Sequence, residues 1–190
     1  MITAYKGFRK DLSCMSRGNL FQYKLGIWNE EPEANCRKNG FHCAENPLDC
    51  LTYYPAWDDA VYYIVLADGD IHEDGSDTKI ACTRIKLVKQ LSLGEFVAHS
   101  LRYISDHPLR ENSNQVYMDE GIVRNKFVIV RGKNPIAQGK KGDVFGFVKE
   151  HTKDKSVAEL GLYVVDGEEI EEDTWYDICG VKYRKEGDDE

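Results

Sequence analysis

Apolar positions in this chain come mostly in short runs rather than long stripes, and each run predicts an element. Residues 61–67 are almost continuously apolar and residues 79–88 alternate, so both are predicted core strands, with Asp68-Gly69 as a turn after the first. Residues 2–8 and 21–28, rich in β-branched and aromatic side chains, predict two more strands. Helical spacing occurs twice. Asn46-Pro47 followed by Leu48, Leu51 and Tyr54 offers a capping side chain and a proline suited to the first turn, with Pro55 as the stop. Ser92 and Glu95 have capping-box spacing, and Phe96, Val97, Leu101 and Ile104 recur at helical intervals until Pro108. Beyond Asn114 the helical period disappears. Residues 126–131, 143–149 and 160–165 read as strands punctuated by Gly132, Gly139, Gly142 and Gly146, with Asp166-Gly167 as a hairpin turn. The predicted class is α+β: a strand-rich amino-terminal module with two short helices over residues 1–108, then a β-rich carboxy-terminal module with an acidic tail over residues 113–190.

Composition narrows the function classes. A chain of 190 residues buries enough surface to fold without staples. No apolar run approaches the length of a membrane span and the first residues lack the apolar core of an export signal, so the expected location is the cytoplasm of a bacterial cell, with no membrane partner. There the six cysteines are expected to be reduced. A net charge of -8 argues against nonspecific coating of nucleic acid, yet the charge is uneven along the sequence. Arg124, Lys126, Arg131, Lys133, Lys140 and Lys141 form a basic stretch free of carboxylates. Asp166, Glu168, Glu169, Glu171, Glu172 and Asp173 form an acidic one.

Candidate chemistry is thin. Cys36, Cys43 and Cys50 with His42 invite a zinc site, but the spacing does not match a zinc knuckle, and buried cysteine is a common small apolar residue. Cys43 as a nucleophile needs a base such as His72 or His99 brought to it by the fold, since the ring of adjacent His42 points the other way along an extended segment. Asp70, His72, Asp74 and Gly75 follow a calcium loop until its essential carboxylate, where Ala81 stands. Phosphate loops, dinucleotide fingerprints and serine elbows are absent, so no catalytic residue, metal or cofactor is assigned. The basic stretch reads as a solvated strand face, with a nucleic-acid backbone as the sharper alternative. The acidic one reads as a soluble loop, with phosphate mimicry on a basic groove as its alternative.

Ala4-Tyr5-Lys6-Gly7-Phe8, Phe21-Gln22-Tyr23, Gly40-Phe41-His42-Cys43, Glu45-Asn46-Pro47-Leu48-Asp49 and Tyr53-Tyr54-Pro55 together resemble an uncharacterised domain family common in phages and prophages. The segments Val165-Asp166-Gly167 and Asp173-Thr174-Trp175-Tyr176 resemble the closing segment of that family. That resemblance, the uneven charge and the absence of catalytic signatures together lead to the expectation of a phage-encoded accessory protein without catalytic activity. Its expected partner is a host defence protein or ribonucleoprotein, as for an anti-CRISPR inhibitor, engaged through the acidic or the basic residues. A virion-associated structural protein is another alternative. The order of a first strand ending Tyr-Lys-Gly, then Gly-Phe-His-Cys and a tyrosine-bearing helix, also resembles the ADP-ribosyltransferase layout. That layout implies a pocket for NAD lined by Tyr5, Lys6, His42 and Tyr54, with Lys6 where such enzymes carry Arg or His.

Overall fold

The computed structural model describes residues 1–16, 19–35, 38–73, 78–110 and 113–185, and the chain divides into two compact units, Met1–Ser92 and Leu93–Glu190. Strands dominate both, so the helical share is smaller than an even α+β mixture implies.

The first unit contains β1 (Ile2–Arg9), β2 (Ser13–Ser16), β3 (Asn19–Gln22), β4 (Trp28–Glu30), β5 (Phe41–Ala44), β6 (Ala60–Glu73) and β7 (Lys79–Gln90). β1 pairs antiparallel with β6 along its whole length, from Ile2 opposite Ala67 to Arg9 opposite Ala60. β6 pairs with β7, β7 with β5, and β5 returns to β1 where Tyr5 faces Ala44. The sheet therefore closes on itself, and alternate residues point inward. Ala4, Phe8, Phe41, Cys43, Val65, Ile80, Cys82 and Ile85 are buried in one cluster, in which the Phe8 and Tyr23 rings meet edge to face at 4.8 Å.

Two expectations for this unit are corrected. The strand predicted over residues 21–28 is broken into β3 and β4, because Gly26 turns the chain at a φ of 74° and the Asn29 amide holds the loop through the Lys24 N–H at 2.9 Å and its carbonyl at 3.1 Å. Asp68-Gly69 does not end a strand: β6 continues to Glu73, and the pair forms an irregularity where its register against β7 shifts. The first predicted helix is a short 3-10 turn, Pro47–Thr52, with the Asn46 side chain accepting from the Leu48 N–H at 3.1 Å.

The second unit opens with α1 (Leu93–Asp106), followed by β8 (Val116–Ile122), β9 (Phe127–Gln138), β10 (Val144–Glu150), β11 (Val157–Val164) and β12 (Tyr176–Asp177). The helix thus lies in the second unit, although Pro108 had marked the expected boundary. It buries Phe96, Val97, Leu101 and Ile104, and the absence of a side chain at Gly146 lets it approach β10: a Cβ there would stand 2.8 Å from Val97 Cγ1. β8, β9 and β10 are mutually parallel, with only residues 123–126 and 139–143 between them. Such short returns work because β8 and β9 bend together, at Asp119 and at residues 132–135, so the chain winds as stacked coils: Val116 lies beside Ile129, and Ile129 beside Gly146. β11 closes one face antiparallel to β10, and β12 takes the matching place beside the far end of β9. Residues 166 and 167 therefore do not form a β-hairpin; the segment they begin carries the chain from β11 to β12.

Candidate functional site

The first unit holds a cavity of about 250 Å³. Its walls come from β1 (Tyr5, Lys6, Gly7), from Cys14 and Met15 of β2, from Tyr23, from β5 with the turn that follows it (His42, Cys43, Asp49, Cys50, Tyr53, Tyr54), and from Lys79 at the start of β7. All four residues of the NAD-pocket alternative, Tyr5, Lys6, His42 and Tyr54, line this one space. Gly7 makes room for the Tyr54 ring: a Cβ at that position would stand 2.8 Å from Tyr54 Cδ2, so only glycine lets the ring lie against β1.

Lys6 is the anomaly. On β1 it shares the inward face with Ala4 and Phe8, and it is only 8% exposed. Its Nζ donates to the His42 carbonyl at 2.6 Å and lies 5.3 Å and 5.5 Å from the centres of the Phe8 and Tyr23 rings. No carboxylate among the described residues pairs with it. Asp49, the one carboxylate among the described residues of the cavity wall, instead accepts from the N–H and hydroxyl of Thr78 at 3.1 Å and 2.5 Å. A buried lysine normally has an ionic partner, because losing hydration is costly and ring faces return only part of the loss.

Burial holds His42, Cys43, Cys50, Tyr54 and Tyr23 of the cavity wall in their neutral forms. Burial, reinforced by Lys79 and Lys6, pushes His42 down to about 4. Burial pushes Cys50 and Tyr54 up to about 12 and Tyr23 higher still. Cys43 is held well up by its contact with the Cys82 thiol and by burial, so it stays a thiol rather than an activated nucleophile. Among the described residues no group of three His, Cys, Asp or Glu side chains could hold a metal ion, and Cys36 of the zinc reading lies outside them. Asp74 and Gly75 of the calcium reading lie outside them too.

In the second unit the two charged stretches, separate in sequence, meet in space. Lys140 pairs with Asp173, and the Lys141 side chain lies beside Gly167. Asp166 is turned back on its own loop, accepting from the Glu168 and Ile170 N–H groups at 2.8 Å and 3.0 Å, and Glu171 pairs with Lys182 at 2.6 Å. Glu168, Glu169 and Glu172 remain solvent-facing. Of the basic residues, Arg124, Lys126, Lys133 and Lys141 are exposed, whereas Arg131 is 3% exposed and bonds Glu150, the Pro108 carbonyl at 2.6 Å and the Lys155 carbonyl at 3.1 Å. The basic stretch is thus a set of scattered surface charges around one internal pin.

Sequence reasoning missed Cys14, Met15, Tyr23, Asp49, Tyr53 and Lys79 as cavity residues. They come from four separate segments, and only the lysine on the inward alternation of β1 could have pointed to the place. No helix among the described residues is long and apolar enough to cross a membrane. Neither the curated proteins nor the solved structures compared with the chain gave a match. A family model does match residues 2–99, just over half the chain and the whole of the cavity-bearing unit, so the chain belongs to the family described as a domain of unknown function, DUF7666.

Proposed function

We propose that the chain works as a small-molecule-binding protein whose ligand sits in the cavity of the amino-terminal unit. The observation that carries this reading is the convergence of Tyr5, Lys6, His42 and Tyr54, drawn from three separate elements, on one space within the family-matched segment. Convergent polar groups on a partly apolar concavity are the usual mark of a ligand site. At about 250 Å³ the space falls a little short of the roughly 300 Å³ at which drug-sized pockets begin, which suits a single ring with one substituent better than a whole dinucleotide. NAD, the ligand of the ADP-ribosyltransferase layout, would fit only with part of the molecule outside. Amide-detected NMR of the full chain, titrated with NAD, ADP-ribose and a panel of ring-sized fragments, tests the reading. Shifts clustered on residues 5–7, 42–43 and 50–54 support it, and a panel that leaves those signals unmoved refutes it.

A second reading places the action on the carboxy-terminal unit, as a phage-encoded inhibitor docking on a basic surface such as that of a host defence nuclease. The observation favouring it is the exposed set Glu168, Glu169 and Glu172. It ranks lower because Asp166, Glu171 and Asp173 of the same stretch are held by the protein itself.

A further inference from the structure

We infer that the cavity takes an organic monoanion, a carboxylate carried on a flat ring, with the carboxylate seated on Lys6. The inference rests on the proposed function and specifies its ligand. An ammonium has three N–H donors, and only one of those on Lys6 is occupied, by the His42 carbonyl. The other two have ring faces and the cavity as neighbours, with no carboxylate among the described residues pairing with them. An anion entering the cavity would complete the ammonium's hydrogen bonds and neutralise a buried charge, and both gains are larger where water is excluded. The Tyr23 hydroxyl, which accepts from the Cys14 thiol at 3.4 Å, stands on the same wall as a further donor.

Charge number selects the carboxylate over phosphate. Among the described residues that line the cavity, Lys6 is the deeply buried cation. The second lysine on its wall, Lys79, is directed to Tyr53, with its Nζ 2.8 Å from the hydroxyl and 3.9 Å from the ring centre. A dianion would leave one charge unmatched in an apolar setting, whereas a carboxylate balances Lys6 alone. Ring-bearing side chains select the body of the ligand: Tyr5, Tyr53 and Tyr54 line the space and offer flat surfaces for stacking. The same ammonium repels a cationic ring, so the positively charged nicotinamide end of NAD is disfavoured at this depth.

Calorimetry on the full chain at neutral pH with two matched pairs, benzoate against benzamide and nicotinate against nicotinamide, separates the possibilities. Carboxylates are expected to bind about 10-fold or more tightly than their amides, the range of a hydrogen bond to a charged group. Lys6→Met, checked for folding by near-UV circular dichroism, should abolish the difference between the members of each pair. The comparison on the unaltered protein stands even if Lys6→Met does not fold. Amides binding as tightly as carboxylates would overturn the inference while leaving a small-molecule site intact. Absence of binding by either pair and by the fragment panel would overturn the proposed function as well.

Discussion

Removing the Arg131 side chain should cost stability, not a binding surface, and the size of the effect follows from what it holds. Its guanidinium joins Glu150 at the end of β10, the Pro108 carbonyl beyond α1 and the Lys155 carbonyl in the β10–β11 connection, with the two charged side chains only 3% and 11% exposed. Arg131→Met leaves a carboxylate without its counter-charge in a site water barely reaches, a change that costs about 3–5 kcal/mol. The two carbonyls lose their donor as well, adding to the cost. In a unit of this size each 1 kcal/mol moves the melting temperature by about 4–8 °C, so calorimetric melting should fall by about 12 °C or more. The double variant Arg131→Met with Glu150→Leu should recover a substantial part, because the stranded charge is gone. A single variant that loses less than about 1 kcal/mol in urea titration, with the double variant no better, would refute the reasoning and show that solvent reaches Glu150.

Other consequences are equally direct. Because burial depresses His42 from 6.5 to about 4, the unfolded chain takes up a proton before the folded one as pH falls; stability should therefore decline from about pH 6.5 towards 4, and His42→Gln should flatten that part of a urea-midpoint profile. Gly146→Val pushes a side chain into Val97, Ile129 and Leu101 and should cost about 1–3 kcal/mol by overpacking, read as a lowered denaturant midpoint. Replacing Glu168, Glu169 and Glu172 together by Lys should change stability by about 0.5 kcal/mol or less per site; if capture of a basic host nuclease survives the change, the docking reading of the carboxy-terminal unit fails.

The parts of the fold visible in the sequence were those whose cause is local. β1 follows from its β-branched and aromatic residues, β7 and α1 from periods of two and of 3.6, and Asn46 caps its turn as its side chain predicts. β8 escaped because Asp119, Glu120 and Gly121 interrupt any alternation, and its pairing with β9 is set by a shared bend rather than by its own pattern. β9 was expected to stop at Arg131, yet it continues through Pro135 to Gln138, with Pro135 falling where the ladder with β8 shifts and no regular donor is needed. In the cavity, Lys6 and His42 were nominated by their neighbours in the sequence. Asp49 and Lys79 reach the same wall only because β5 pairs with β7, and a single chain gives no sign of which strands adjoin. The polarity of charge along the sequence was real, but Lys140 and Asp173 show that folding mixes what the chain keeps apart.

The stacked coils of the second unit bear on how this part of the chain acquires its structure. Every parallel contact among β8, β9 and β10 joins residues thirteen to seventeen positions apart, so each coil can dock on its predecessor with little loop entropy to overcome. Such a unit can wind progressively as it emerges from the ribosome, with β8 as a template for β9 and β9 for β10. Only β12, which returns to β9 across nearly forty residues, must wait for the rest of the chain. Truncation before Tyr176 should therefore leave a wound but unsealed coil, since β12 supplies the partner for the far end of β9.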